Sequence, residues 1–125
     1  MTNRSDNLNE LAYEAARIGQ LECLKLFMAD DRCTDLHWAA YEAAQFGHID
    51  CLKEILKDQN RISDLNPSTY VATRNNQVEG LKTILEDGRY TTLELPKKEA
   101  KSKGHSECEE LIDKMLQKQA NHART

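Results

Sequence analysis

The chain has 125 residues, 39% of them hydrophobic and 30% charged, which suits one domain with a thin, elongated core. Its net charge of −4 disfavours a nucleic-acid partner, because nucleic-acid-binding modules usually carry a basic surface. We expect a cytoplasmic protein without a membrane partner, since no stretch approaches the roughly 20 apolar residues of a membrane span and the N-terminus lacks a signal peptide's apolar run.

A segment of about 28 residues recurs four times along the chain, in steps of 28, 29 and 28 residues. An arginine followed four residues later by a leucine marks each copy, at Arg4/Leu8, Arg32/Leu36, Arg61/Leu65 and Arg89/Leu93. The same register repeats a tyrosine at Tyr13, Tyr41 and Tyr70, and a turn residue at Gly19, Gly47, Asn76 and Gly104. A fixed period of this size predicts a solenoid, whose units bury their apolar faces by stacking on one another. We predict repeats at approximately 4–31, 32–60, 61–88 and 89–116, followed by a polar tail at 117–125.

Each copy is predicted to open with a loop and a short first helix. Thr34 and Asp35 precede the apolar segment of the second copy, where such residues act in turns and helix caps. Pro67 and Pro96 suit the first turn of the helices that follow. The first helix of the second copy is predicted at 39–46 and ends at Gly47, because helices commonly end in a left-handed residue that glycine adopts without penalty.

A second helix is predicted immediately after each turn. In the second copy it covers 49–56, with its apolar residues at helical spacing on one face. Each unit is therefore a helical hairpin, and the fold class is an all-α solenoid. In the fourth copy Glu109 and Asp113 replace the Leu52 and Leu56 of the second copy. Because terminal repeats need a polar outer face, we predict a C-terminal cap at 95–116.

Three of the four cysteines share one position of the repeat, namely Cys23, Cys51 and Cys108. Equivalent positions in stacked helices lie roughly 8–10 Å apart, which is too far for a disulfide. We expect these three thiols to be reduced and buried, as small apolar residues of the core.

The stretch 42–56 resembles the core of an ankyrin repeat. It has paired alanines, two variable positions, Gly47-His48, an acidic residue, a hydrophobic pair and Lys53. The ankyrin Thr-Pro-Leu-His opening is absent, with Tyr41 standing where its histidine would fall, and the period is about five residues short of the usual 33. The resemblance implies tight loops in place of projecting β-hairpins. It also implies that His48 and its counterpart His105 staple the turn to the backbone.

The resemblance also implies a partner-binding concave surface at the variable positions just before each turn. These candidate binding residues are Arg17, Ile18, Gln45, Phe46, Arg74 and Asn75, with Ser102 and Lys103 in the fourth copy. Ile18 and Phe46 are apolar in a column that becomes polar later, which is typical of a binding patch rimmed by charge. The alternative is that the shortened loops fold over them and bury them.

The loop arginines Arg4, Arg32, Arg61 and Arg89 form a second candidate. As a binding site they would present a ladder of guanidinium groups to an acidic partner. As a structural device each would bond loop carbonyls or a carboxylate of the next repeat, and we favour this reading because a residue kept in every copy more often serves the unit.

No catalytic or metal site is predicted. Cys33 and His37 could offer two metal ligands, but a structural zinc site usually needs four. We therefore expect a non-catalytic protein-binding module with no cofactor and no metal, monomeric when unbound, and located in a host cytosol if it is a pathogen protein. Two alternatives stay open: a structural or regulatory piece that stacks on a larger assembly, and an enzyme that uses Cys33 and His37.

Overall fold

The computed structural model describes the backbone of residues 4–123 and the side chains of residues 8–122. Over this range the chain forms eight α-helices and no strand, which confirms the predicted all-α class. The helices are α1 Arg4–Ile18, α2 Leu21–Met28, α3 His37–Phe46, α4 Ile49–Leu56, α5 Asn66–Arg74, α6 Val78–Asp87, α7 Glu94–Lys103 and α8 Ser106–Ala123.

The helices are arranged as four consecutive antiparallel pairs. Within a pair the two helices pack together, and each pair contacts the next through both of its members, so that α1, α3, α5 and α7 form one row and α2, α4, α6 and α8 the other. Alanines on the first helices, such as Ala40 and Ala44, and large apolar residues on the second helices, such as Leu52 and Ile55, are fully buried in one hydrophobic core. Small residues in one row and large apolar residues in the other therefore fill the space between the rows.

Each first helix ends where the sequence predicted. Gly19, Gly47 and Gly104 have φ angles of 88°, 73° and 71°, and among residues 4–123 Asn76 is the non-glycine residue with positive φ, at 55°. At Gly47 the left-handed conformation favours glycine, and a Cβ atom there would also lie 2.5 Å from the side-chain oxygen of Gln77, which would have to move.

Polar loop residues cap the N-termini of the first helices. They stand one residue before the N-cap position, where a capping side chain usually lies. Leucine occupies the N-cap itself, as at Leu36. The Oδ1 atom of Asp35 accepts the backbone N–H of His37, and Asp64 accepts that of Asn66 in the same way. The leucine can therefore enter the core while its polar neighbour satisfies a free N–H at the start of the helix. As a result α3 begins at His37, two residues before the predicted start.

In α1, α3 and α5 a polar side chain at the same position of the repeat forms hydrogen bonds with the following loop. Asn9 accepts the N–H of Thr34 and donates to its hydroxyl, and Asn66 makes the same pair of bonds with Thr91. His37 takes this role in the second pair, where its Nε2 accepts backbone N–H groups of the next loop. Neighbouring pairs are thus joined by hydrogen bonds as well as by apolar packing.

In the second, third and fourth pairs, the residue after the turn is hydrogen-bonded to the preceding pair. In these bonds a side chain donates to a backbone carbonyl: His48 Nε2 to Arg17 O at 3.1 Å, Gln77 Nε2 to Gln45 O at 3.1 Å, and His105 Nδ1 to Thr73 O at 2.9 Å. The turn histidines therefore do staple backbone, but the carbonyl belongs to the pair before them.

Two details differ from the sequence expectations. Cys51 and Cys108 are buried, but Cys23 is exposed, which corrects the prediction for that thiol. The same position is covered by the preceding pair later in the chain, as the 3.6 Å contact of Cys108 Sγ with Asn76 Oδ1 shows, whereas Cys23 lies in the first pair of the row. The second difference is that α8 continues through the predicted polar tail as far as Ala123.

Candidate functional site

The loop arginines lie between successive helix pairs, and Arg89 makes the fullest set of contacts. It donates to both carboxylate oxygens of Asp87. It also donates to the backbone carbonyls of Leu56, Asp58 and Ile62, at 2.6–2.9 Å. This hydrogen bonding with the Arg89 guanidinium lowers the pKa of the Asp87 carboxyl. Arg89 therefore satisfies carbonyl groups at the end of α4 and in the loop that follows it.

Arg61 repeats this arrangement one pair earlier. It pairs with Asp58 and donates to the carbonyls of Met28 and Cys33 at 2.7 and 3.0 Å. These bonds match the structural reading of the arginine column at Arg61 and Arg89, since guanidinium groups committed to backbone carbonyls are not free for a partner.

Arg32 is different because it is half-exposed. Among the described side chains it bonds Asp30 alone, and these hydrogen bonds lower the pKa of that carboxyl to about 2. The side chain of Arg4 lies outside those that the structure describes.

The predicted concave-surface residues lie at the C-terminal ends of the first helices. Ile18 and Phe46 are 54% and 49% exposed, so the loops do not bury them. Arg17 forms an ion pair with Glu14 on its own helix.

Some of the polar residues of this set form hydrogen bonds within the structure. The backbone carbonyl of Gln45 accepts the inter-pair bond from Gln77, although its side chain is half-buried at the surface. Arg74 is exposed, and the amide of Asn75 donates to the carbonyl of Val71. The two apolar side chains are therefore the members of the set best placed to meet a partner.

The structure adds an aromatic group that the sequence analysis did not single out. Trp38, the single tryptophan of the chain, is 64% exposed on α3. Its ring packs edge-to-face on Tyr41, with ring centroids 5.7 Å apart and an interplanar angle of 69°. Trp38 also borders an open cavity of about 550 Å³ between α1 and α3, lined by Asn9, Glu10, Tyr13, Glu14, Asp35 and Trp38. We call the exposed surface of α1 and α3 that carries Trp38, Tyr13, Tyr41, Ile18 and Phe46 the first-helix face.

The cavity beside Trp38 is acidic. Three of its six lining residues carry carboxylates and none carries a lysine or arginine side chain. Glu10 is exposed, while Asp35 bonds the ring of His37. Nearby Glu42 is buried, and this burial raises the pKa of its carboxyl. Acidic groups around an exposed indole form a setting that suits a cationic side chain.

A sequence signal for this site existed in the column of Trp38. That column reads Glu10, Trp38, Pro67 and Leu95, and all four residues are exposed. This column varies in size and polarity, whereas the column two residues earlier is leucine in all four copies. Such variation beside a constant apolar column is typical of a surface position. The tyrosine column was used only to set the register of the repeat. The exposure of these tyrosines depends on how the helices pack, which the sequence does not give.

The Cys33/His37 pair considered for chemistry is used structurally. Cys33 is 1% exposed and burial raises the pKa of its thiol. His37 bonds Asp35 through Nδ1 and accepts loop N–H groups through Nε2. Among the described residues, no group of three or more histidine, cysteine, aspartate or glutamate side chains is placed to hold a metal ion.

Comparison with family models and with curated proteins finds no match for this chain. Within residues 4–123, no helix combines the length and apolar character needed to cross a membrane.

Proposed function

We propose that this chain is an ankyrin-like repeat protein that binds a protein segment along its first-helix face. The observation that carries the proposal is Trp38, a large aromatic residue that stands exposed over a cavity and packs on Tyr41. Tryptophan and tyrosine are the residues that most often dominate binding energy at interfaces. The in-step repeat and the four helix pairs support the ankyrin-like assignment.

The face combines two kinds of contact along one row of helices. Trp38 and Phe46 lie eight residues apart on α3, which is about 12 Å along a helix. Phe46 and Ile18 offer apolar area at one end, and the aromatic rings with Glu10 and Asp35 offer an acidic pocket at the other. A partner segment that fits both ends carries apolar side chains followed by a lysine or arginine.

A catalytic role for Cys33 has weaker support. Reactive cysteines are accessible and have lowered pKa values, because the thiolate is the nucleophile. Cys33 is buried, and its pKa is raised. The proposal therefore assigns no reaction to the chain.

The test is selection from a display library of random peptides, followed by titration of the enriched peptides with Trp38 fluorescence as the signal. We expect peptides that bind the unmodified chain and that carry at least one lysine or arginine near apolar residues. Phe46→Ala and Trp38→Ala should each weaken binding by about 2 kcal/mol or more, roughly thirtyfold. Binding to the Trp38 variant is followed by calorimetry, since it lacks the fluorophore.

Two variants serve as controls in these titrations. Lys53→Ala removes an exposed charge from α4, and Leu26→Ala removes an exposed apolar side chain from α2. Both should bind the selected peptides as the unmodified chain does, and all four variants should keep its melting temperature. Peptides whose affinity depends on Lys53 but not on Trp38 or Phe46 would place the binding surface on the other row of helices and contradict the proposal.

A further inference from the structure

The tyrosine column of the repeat forms a line across the first helices. Tyr13, Tyr41 and Tyr70 stand at the same position of α1, α3 and α5, and each is partly exposed. Consecutive helices of this row contact each other, and packed helices lie about 8–10 Å apart. The rings therefore recur at this distance along the row. We call Tyr13, Tyr41 and Tyr70 the tyrosine ladder.

The hydrogen-bond donors of the ladder have no partner in the described part of the chain. None of its hydroxyl groups is hydrogen-bonded to residues 8–122, whereas the hydroxyl of Tyr90 accepts a bond from Gln119. The ladder oxygens are not buried either, so they are open to solvent. The indole N–H of Trp38, whose ring packs on Tyr41, is also unpaired within this range. The ladder therefore presents free donors beside aromatic ring area.

A polyproline II helix matches both properties of the ladder. It has three residues per turn and rises about 3.1 Å per residue, so equivalent side chains recur about every 9.3 Å. Its carbonyl groups form no internal hydrogen bonds and are free to accept from tyrosine and tryptophan. In an α-helix the carbonyl groups are already bonded. In a β-strand the side chains of one face recur about every 6.6–6.8 Å, which does not match the ladder.

The two ends of the ladder differ in charge. The cavity lined by Tyr13 and Trp38 holds the carboxylates described above, with no lysine or arginine side chain. Beyond Tyr70, the fourth copy has Lys98 in place of a tyrosine, and this lysine is exposed. A basic residue of a bound segment is therefore attracted to the α1 end of the ladder and repelled from the α7 end.

We propose that the partner segment is proline-rich, binds as a polyproline II helix across α1, α3 and α5, and places a lysine or arginine in the acidic cavity. This proposal rests on the proposed function and adds the conformation of the segment, its course over α5 and its sequence period. From Tyr13 to Tyr70 the ladder covers two helix spacings, about 16–20 Å, which roughly six residues of such a helix span. Grooves lined by aromatic side chains are the surfaces that recognise this conformation.

Calorimetric titration with synthetic peptides tests the proposal. The probe is a peptide of about twelve residues with proline at every third position and one terminal arginine, prepared with the arginine first and with the arginine last. A control peptide of the same composition has its prolines moved off this period. The tighter of the two periodic peptides should bind with a dissociation constant below about 100 µM, and the control peptide should bind at least about tenfold more weakly.

Tyr70 separates this proposal from the proposed function, because it lies on α5, outside the first-helix face. Tyr70→Ala should weaken binding of the periodic peptide at least about tenfold. Tyr70→Phe keeps the ring and removes the donor, so it should weaken binding about three- to tenfold. Tyr90→Phe is the matched control, since it removes a tyrosine hydroxyl outside the ladder, and it should bind the peptide unchanged. Circular dichroism and the melting temperature check that each variant folds.

The place of the arginine is tested by changing the chain and the peptide together. Glu10→Gln should weaken binding of the arginine peptide about threefold and leave a glutamine analogue of the peptide unaffected. Glu22→Gln removes an exposed carboxylate from α2 and should change neither affinity. An equal effect of Glu10→Gln on both peptides would show that the arginine does not lie in the cavity and would contradict the proposal.

The remaining outcomes distinguish this inference from the proposed function. Equal affinities of the periodic and control peptides, or an unchanged affinity in Tyr70→Ala, would overturn the inference. If the periodic peptides fail to bind while library peptides without proline bind through Trp38, the inference is wrong and the proposed function stands. If no peptide of either kind binds, both are wrong.

Discussion

The contacts of Arg89 explain why an arginine recurs at this position of the repeat. Its guanidinium reaches three backbone carbonyls around the end of α4 while Asp87 balances its charge. Helix ends leave carbonyl groups without partners, and a planar group with five donors can satisfy several at once. Lysine offers one point charge on a flexible stem and cannot reproduce this geometry.

We therefore expect Arg89→Lys to lower the free energy of unfolding by about 2 kcal/mol, since hydrogen bonds to charged groups are worth about 1.5–3 kcal/mol each and lysine retains part of the set. Arg32→Lys is the matched control and should cost much less, because Arg32 is exposed and bonds one carboxylate. Urea titration at neutral pH measures both. Equal losses for the two variants would contradict the structural role of Arg89.

The ion pair of Arg89 and Asp87 also predicts how the stability of the chain depends on pH. The pKa of Asp87 is lowered in the folded chain, so its contribution is fully present above the unfolded value of about 4 and is lost as the pH falls through the folded value. The stability difference between Arg89→Lys and the unmodified chain should therefore shrink below about pH 4. A difference that is constant down to pH 2 would show that Asp87 does not take part.

Asn76 is the one turn residue in the column that is not glycine. Its φ of 55° places it in the left-handed region, which costs a side-chain-bearing residue about 1 kcal/mol. Asn76→Gly should be neutral to about 1 kcal/mol stabilising in thermal melting, because relief of strain is offset by the greater freedom of glycine in the unfolded chain. Gly47→Ala is the opposite test and should destabilise, since φ is 73° and its Cβ would meet Gln77. Clear destabilisation by Asn76→Gly would contradict this reading.

Thiol titration distinguishes the four cysteines. Burial raises the pKa of Cys33, Cys51 and Cys108, whereas Cys23 is exposed. At low micromolar concentration the native protein should show one fast-reacting thiol, lost in Cys23→Ser, and the unfolded, unreduced protein should show four. Two thiols in the unfolded protein would indicate a disulfide and overturn the expectation of reduced cysteines.

At the scale of the element, α8 behaves as two parts. Cys108 and Ile112 are fully buried in the last pair, whereas residues 117–122 are exposed and continue the helix into solvent. One contact that the extension makes with the body is a hydrogen bond from Gln119 to the hydroxyl of Tyr90, at 3.2 Å. The extension has helical geometry without the burial that stabilises most helices.

Because residues 117–122 are exposed, removing residues 117–125 should lower the free energy of unfolding much less than emptying a buried site does. Ile112→Ala, which empties a fully buried site on the same helix, should cost about 2–5 kcal/mol. Chemical denaturation of the two variants makes the comparison. A truncation that costs as much as Ile112→Ala would mean that the extension is part of the core.

At the scale of the whole molecule, each helix pair contacts its neighbours in the row. A pair cannot bury its apolar face alone, so the stability of the array depends on the interfaces between pairs as well as on the pairs themselves. In an array of four pairs, strong interfaces make the pairs unfold together.

We expect Trp38 fluorescence, which reports on the second pair, and far-UV circular dichroism, which reports on all helices, to give coincident urea transitions. Leu81→Ala empties a fully buried site in α6 of the third pair and should cost about 2–5 kcal/mol. It should shift both transitions equally. A variant in which the dichroism shifts and the Trp38 transition does not would show that the pairs unfold separately.

The sequence by itself determined the all-α class, the number of helices and the place of each turn. Glycine at φ values near 70–90° and apolar residues at helical spacing are local features, so a repeated pattern reveals them before any packing is known. The candidate surface was predicted in part, because the alternation of fixed and variable columns indicated Ile18 and Phe46 but gave no measure of exposure for Trp38.

The tertiary structure decided what depends on neighbours. Cys23 and Cys51 occupy the same column with a similar local sequence, yet one is exposed and the other buried, because burial comes from the adjacent pair. Arg89 and Arg32 share a column in the same way, and one reaches carbonyls of an earlier turn while the other bonds a single carboxylate. A repeat specifies its unit from local sequence, but its surfaces are set by the position of the unit in the row, and that position decides which equivalent residues are buried and which are exposed.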